Sequence, residues 1–217
     1  LIALLPYYTV GLNLGLRLAL NKFLKIYLRP MDALLYKLDE IYCLPEPLRS
    51  EFAAAWRPLV HPKGHTLLRE GAVNHSLYFI SKGIARLYYH KQNREVTEWI
   101  AMDGTFFFSI RSFFERKPSQ IAIHLVEPAT LFALDHNELM RLCDQHHAVE
   151  KLFRHMLTGS LLLSQIRMES IQFETAQQRY QGLLARNPDI VQRVPLAYIA
   201  SFLGITQETL SRVRGAK

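Results

Sequence analysis

The sequence predicts an α+β fold: an antiparallel β jelly roll, or double-stranded β-helix, followed by one long helix and an all-α helix-turn-helix unit. Three observations carry that expectation. Short apolar runs punctuated by glycine and proline fill the middle of the chain, a stretch near residue 160 keeps a seven-residue apolar repeat, and residues 196–217, LAYIASFLGITQETLSRVRGAK, divide into two short helical patterns. With 217 residues, 49% of them hydrophobic, the chain is long enough for one or two domains with a sizeable core.

Residues 32–57 carry apolar positions at helical spacing, broken by Pro45 and Pro47. From about residue 60 the period shortens. Apolar runs at 66–69, 76–81, 84–89, 96–101, 121–126 and 130–134 are separated by turn signals at Pro62-Lys63-Gly64, Gly71, Gly83, Asp103-Gly104 and Glu127-Pro128. Short strands at this spacing read as a sandwich or jelly roll. A further helical pattern starts at His136.

Over residues 149–173 a heptad count puts Val149, Met156, Leu163 and Ser170 in one register and Leu152, Gly159, Ile166 and Phe173 in the other. Six of these eight are large and apolar. The pattern predicts a seam between two copies, with Val149, Leu152, Met156, Gly159, Leu163 and Ile166 facing the partner; a helix buried within one subunit fits the same pattern. A second row, Phe153, Leu157 and Leu161, is expected to pack back on the sandwich.

Pro195 suits a first helical turn, and Leu196, Ile199, Ala200 and Leu203 recur behind it. Gly204 offers a left-handed exit, Thr206 an N-cap, and Glu208 an acid near the positive end of a second helix. On that helix Thr209, Leu210 and Val213 share one side, while Gln207, Glu208, Ser211, Arg212 and Arg214 share the other. Arginine bonds a guanine edge through two hydrogens, glutamine does the same with adenine, and glutamate accepts from the cytosine amino group. The arrangement predicts a helix that enters the major groove of double-stranded DNA, against the plainer alternative of a helical hairpin with a solvated face.

The charge distribution agrees. Residues 174–217 hold six Lys/Arg against three Asp/Glu, residues 1–30 hold four against none, and residues 31–173 hold sixteen against sixteen. A neutral middle with a basic C-terminal end fits a scaffold joined to a phosphate-binding module. Two cysteines, Cys43 and Cys143, are too few for a disulfide framework or a four-thiolate metal site, so a reducing, cytoplasmic setting is expected. Pro6, Gly11, Gly15 and Arg17 interrupt the apolar, basic first thirty residues, so no membrane span is expected. Residues 1–30 read as an extension ahead of a natural start at Met31. The expected division is therefore an extension (1–30), a jelly-roll domain (31–145), a dimerisation helix (146–173) and a helix-turn-helix domain (174–217).

In this order of elements the chain resembles the Crp/Fnr family of bacterial transcription regulators, in a branch with a short C-terminus. The stretch SLYFISKGIARLYY is similar to that family's central strand-turn-strand, and RYQGLLARNPDIVQRVPLAYIASFLGITQETLSRVR to its DNA-binding end. The resemblance implies a homodimer that binds DNA, with RNA polymerase as a further partner. It implies base reading by Gln207, Glu208 and Arg212, with Gln207 standing where the family carries arginine. Thr206, Thr209 and Ser211 are then placed for phosphate or local contacts. The β-wing that often follows the reading helix has no counterpart after Arg214.

The resemblance also implies a cyclic nucleotide cassette, and here the residues depart from it. Phe108, Ser109 and Ile110 stand in place of Gly-Glu-Leu, and Ser119-Gln120 in place of the phosphate-binding Arg-Ser. A buried phosphate without a cation is costly, and a phenylalanine where glycine allows close approach narrows the site. Cyclic nucleotide is therefore not expected, no cofactor is expected, and any effector is left unidentified. Arg111 is either a replacement cation or a surface arginine. Phe107 and Phe108 are core residues or line an apolar cavity, and Ser164 is either a ligand contact from the long helix or a tolerated polar residue.

Outside this family the rival readings are a jelly-roll metalloenzyme of cupin type and a ligand-binding protein without DNA-binding activity. The nine histidines include His61 and His65 four apart, but no close His-x-His followed by a carboxylate. No metal site or catalytic residue is expected, and the chain is not expected to be an enzyme.

Overall fold

The computed structural model describes residues 30–215. The extension expected at the N-terminus, apart from Pro30, lies outside them. Two short helices come first, α1 (Pro30–Ile41) and α2 (Leu48–Ala54), separated by the proline-containing break. Eight strands follow: β1 (Arg57–His61), β2 (Thr66–Leu68), β3 (Ser76–Lys82), β4 (Ala85–Lys91), β5 (Arg94–Ala101), β6 (Thr105–Phe107), β7 (Ala122–Leu125) and β8 (Ala129–Asp135). A one-and-a-half-turn helix, α3 (Ile110–Glu115), interrupts them between β6 and β7.

The strands form two four-stranded sheets, in the orders β1-β8-β3-β6 and β2-β7-β4-β5, with antiparallel pairing throughout. This is the expected jelly roll. Leu68, Ile80, Leu87, Phe107, Ile123 and Leu131 fill the space between the sheets. Strands β1 and β6 lie outside the apolar runs seen in the sequence. β1 is an edge strand that pairs only with β8 and accommodates Pro58 there, and β6 has only three residues. At the β3–β4 turn Gly83 has φ 120°, and a Cβ there would stand 2.6 Å from that of Ala129. Only glycine fits that turn.

Helix α4 (His136–Gln145) is capped by Asp135, whose carboxylate accepts from the Asn137 and Glu138 amides. The long helix α5 (His147–Phe173) then runs along the sandwich. Its first turns complete a second core with α1, α2, β3, β8 and α4, in which Val149 and Leu152 are fully buried beside Leu34, Phe52 and Leu134.

This corrects the expected seam. Val149, Leu152 and Gly159 are buried within the protomer and cannot face a partner; Met156 and Leu163 are half-buried and turn toward the sandwich. Of the six only Ile166 is exposed. The second row is corrected in part as well: Phe153 and Leu157 do pack inward, but Leu161 is 69% exposed. A heptad repeat marks an apolar stripe, and the α1–α2 core uses that stripe first.

The C-terminal unit comprises α6 (Ala176–Arg186), α7 (Ile190–Arg193), α8 (Leu196–Leu203) and α9 (Gln207–Gly215). Helix α6 opens with a capping box between Thr175 and Gln178. Tyr180, Leu183, Ile190, Ile199, Leu203 and Leu210 form its core, and that core is continuous with Ile84, Ile100, Met102 and Val126 of the jelly roll. The unit is therefore seated on the outer face of the β2-β7-β4-β5 sheet.

Candidate functional site

The last helix, α9, is built as its residues dictate. Gly204 ends α8 in the left-handed region at φ 66°, and its amide bonds back to Ser201. Thr206 caps α9: its hydroxyl accepts from the Thr209 amide at 3.2 Å. Leu210 is buried and Thr209 and Val213 half-buried, which fixes the rotation of the helix. Gln207, Glu208, Ser211, Arg212 and Arg214 are consequently all exposed, together with Thr206. The Glu208 carboxyl is held below the usual range by the Thr206 hydroxyl and, more weakly, by Arg212, so it stays an acceptor at neutral pH. The face carries two guanidiniums, an amide and a carboxylate on one side of about two helical turns.

Two arginines lock this unit to the sandwich, and neither was singled out from the sequence. Arg86, on β4, is 1% exposed. Its Nε donates to the Thr97 hydroxyl at 2.9 Å, a second nitrogen donates to Glu95, and its guanidinium lies over the rings of Tyr198 (3.8 Å) and Tyr88 (4.5 Å). Beside it the Thr97 amide donates to the Ser201 hydroxyl at 2.8 Å. Arg193, on α7, donates to both oxygens of Asp103 at 2.7 and 3.0 Å, to Asp189 at 3.1 Å and to Glu127. Burial opposes its charge, but Asp103 and Glu127 outweigh burial and raise its pKa. The one signal in the sequence was a lone arginine inside the apolar run 84–89.

The cassette between β6 and β7 is closed on itself. Ser109 and Ser119, each 4% exposed, are bonded hydroxyl to hydroxyl at 2.9 Å, and Ser119 donates onward to the Ile121 carbonyl at 2.8 Å. Asn74 accepts from the Ser109 amide at 2.9 Å and donates to the Ser76 carbonyl, while Ser112 accepts from the Asn74 amide and donates to the Lys117 carbonyl. These buried polar groups satisfy one another, and the guanidinium that reaches them, Arg116, donates to the Asn74 carbonyl at 3.0 Å. Arg111 points to solvent with its side chain 70% exposed, paired with Glu115 at 3.1 Å, and Gln120 is exposed as well. Neither lines the cavity between the sandwich and α5, which corrects their provisional placement.

An apolar cavity of about 510 Å³ does lie nearby, between the sandwich and α5. Phe107, Phe108, Ile110 and Ser164 line it, and Trp99, Phe106, Phe153 and Met156 form much of the rest. Ser109 and Ser119 do not line it; their mutual bond keeps them in the cassette. The large charged groups on its wall are balanced in kind: Lys37 bonds Glu40, and Glu98 attracts Arg167. Among the described residues no three His, Cys, Asp or Glu side chains converge as a metal site; His61 and His65 stack on each other with ring centres 3.8 Å apart.

Residues 58–146 match the cyclic nucleotide-binding domain family. No curated protein matches the sequence. Among solved structures, the chain is similar to the catabolite activator protein of Thermus thermophilus at 20% identity, over 87% of this chain and 86% of that one, with TM-score 0.52. It is similar to FixK2 from Bradyrhizobium japonicum at 18% identity, over 74% and 83%, with TM-score 0.62. A Eubacterium rectale protein assigned to the Crp/Fnr family of transcriptional regulators aligns at 14% identity, over 78% and 82%, with TM-score 0.61. The fold is thus a cyclic nucleotide-binding jelly roll carried by a long helix to a helix-turn-helix unit. That is the Crp/Fnr architecture. Among the described residues no helix is long and apolar enough to cross a membrane.

Proposed function

We propose that this chain is a homodimeric, sequence-specific DNA-binding transcription regulator of the Crp/Fnr type, acting in the cytoplasm on double-stranded DNA and RNA polymerase, and not gated by cyclic AMP. One observation carries the reading: α9 turns Gln207, Glu208, Ser211, Arg212 and Arg214 outward together while Leu210 anchors it. This is the side-chain set that reads base edges in the major groove. Two copies supply two reading helices, the usual source of affinity in this class of motif.

The dimer face proposed here is an exposed apolar row of α5 that borders the cavity, since Ser164, Met168 and Ile171 also line it. Leu161, Met168 and Ile171 are exposed at 69%, 48% and 45%, and with Ser164 they follow the three-four-three spacing of a coiled-coil stripe. A row of this kind on a 27-residue helix is suited to a second copy of itself. Independence from cyclic AMP rests on the cassette: Ser109 and Ser119 satisfy each other where a phosphate would need a guanidinium.

The test is selection of bound duplexes from a randomised DNA pool by the purified full chain, followed by calorimetric titration with cyclic AMP and cyclic GMP. The reading expects enrichment of a two-fold symmetric site and no saturable nucleotide binding. Recovery of no sequence preference would overturn the first part, and tight nucleotide binding the second.

A further inference from the structure

Where α5 leaves the sandwich and α6 begins, three arginines line one narrow cleft of about 110 Å³: Arg167 on α5, and Arg179 and Arg186 on α6. Ser170, Asn187 and Thr105 add polar atoms, and Trp99, Ile166, Phe202 and Leu203 are among the apolar walls. The cleft thus lies at the joint between the jelly roll, the long helix and the C-terminal helices, apart from the cassette and adjoining the larger cavity through Trp99, Leu163, Arg167 and Ile171.

Its electrostatics are unbalanced. None of the three guanidiniums makes an ion pair with a carboxylate among the described residues. Arg167 also lines the neighbouring cavity, where Glu98 attracts it, but among the described residues no carboxylate lines this cleft. Arg167 spends its hydrogens on the Phe202 carbonyl (2.7 Å) and the Thr97 carbonyl (3.4 Å), with its guanidinium 4.1 Å from the centre of the Phe202 ring. Arg179 donates one terminal nitrogen to the Ile171 carbonyl at 3.1 Å, but its Nε is buried with no partner. Burial, together with the neighbouring Arg179, lowers the pKa of Arg167. Like charges gathered at a partly apolar site, with a buried donor unspent, are costly unless an anion joins them.

We propose that this cleft binds a small anion, a short carboxylate or inorganic phosphate, held by Arg167, Arg179 and Arg186. Guanidinium forks match both headgroups, and a carboxylate on a short apolar stem would also use the Trp99 and Phe202 walls. The volume, roughly that of four waters in the liquid, excludes a nucleotide and admits phosphate or an acid of a few carbons. Because two of the arginines belong to the DNA-reading unit and one to the long helix, the bound anion would tie the two together. Anion binding itself stands or falls independently of whether α9 reads DNA.

The full chain, exchanged into chloride buffer, is titrated calorimetrically with inorganic phosphate, acetate, propionate and succinate at constant ionic strength. At least one of these should saturate a single site per chain with a Kd of about 1 mM or tighter. The anion that saturates identifies the source, phosphate or carboxylate. Arg179→Gln and Arg186→Gln should each weaken that binding at least about tenfold, the loss of one charge-assisted contact, with unchanged circular dichroism. Arg111→Gln, an exposed arginine elsewhere, should leave it alone. Should Arg179→Gln fail to fold, Arg186→Gln gives the same reading. The proposal is overturned by the absence of saturable binding for all four anions, or by affinity that survives undiminished in the folded variants.

Discussion

The guanidinium of Arg86 lies 3.8 Å from the centre of the Tyr198 ring, and this contact joins a strand of the jelly roll to the first helix of the helix-turn-helix. An arginine with 1% exposure must have its charge accounted for. Glu95 and the Thr97 hydroxyl take its hydrogens in the plane, and Tyr198 and Tyr88 supply ring faces. Removal of the Tyr198 ring should therefore do more than loosen a helix. Tyr198→Ala is expected to cost about 2 to 4 kcal/mol, a desolvated cation–π contact plus the cavity left by the ring, and Tyr198→Phe less than about 1 kcal/mol. Urea denaturation of the two variants checks this; equal losses would mean that the hydroxyl, and not the ring face, is what matters.

Arg193 makes the second fastening, with Asp103, Glu127 and Asp189 around it. Its side chain is 22% exposed and that of Asp103 only 12%, so truncation leaves acids facing one another in a partly dry space. Arg193→Ala should lose about 3 kcal/mol at neutral pH. In the variant the remaining carboxylates are pushed upward in pKa within the fold, so protonation favours the folded state and the deficit should narrow as the pH falls into the carboxylate range. Denaturation midpoints measured across that range decide it. A deficit that widens on acidification would show that the acids do not repel.

Much of the architecture was legible because its signals are local. Helix α9 follows from Gly204, Thr206 and the spacing of Leu210 and Val213, all confined to one short stretch. The jelly roll follows from runs of alternating length between glycine and proline turns. β1 escaped because Pro58 and an exposed Val60 give it none of the character of a buried strand. The dimer stripe was misplaced for a different reason. A seven-residue period identifies a helix with an apolar seam but not what the seam packs against, and Val149 and Leu152 are claimed by α1 and α2. Arg86, Arg193 and Asn74 were illegible because their partners lie far away in the chain: Tyr198, Asp103 and Ser109.

Oxidation or alkylation should distinguish the two cysteines. Cys43 is exposed, whereas burial, aided by Asp144 and Glu150, pushes the Cys143 thiol up to about 11. At pH 8 only about one Cys143 in a thousand is then a thiolate, the reactive form. Iodoacetamide should label Cys43 first and leave Cys143 largely untouched until the protein unfolds, as read by peptide mass spectrometry. Rapid labelling of Cys143 in the folded protein would show that the thiol is not shielded as its burial implies.

The corrected seam makes a sharper prediction than the heptad count did. Met156 is part of the protomer's own packing, so a charge there would damage the fold and say nothing about association. Leu161 and Met168 are exposed in the protomer. Leu161→Glu combined with Met168→Glu should give a monomer by sedimentation with unchanged helical content, because each buried glutamate would lose its water on association. A dimer that persists would place the interface on the opposite edge of α5, where Leu162, Ile166 and Phe173 are also exposed.

Arg212 tests the reading helix itself. It is exposed at the middle of the outward face, one turn beyond Glu208, and nothing in the fold depends on it. Arg212→Ala should leave stability within about 0.5 kcal/mol of the parent, as surface substitutions do. Against a selected operator the same change should cost about 1 to 3 kcal/mol per half-site and relax the preference at one base pair, the signature of a lost bidentate contact. Arg214→Ala, nearer the helix end, should instead lower affinity for all sequences alike and flatten the salt dependence if it meets phosphate. Binding isotherms for matched and single-mismatch duplexes at two salt concentrations separate the two behaviours. Equal affinity of parent and Arg212→Ala for the operator would remove α9 from the groove, whatever the fold around it resembles.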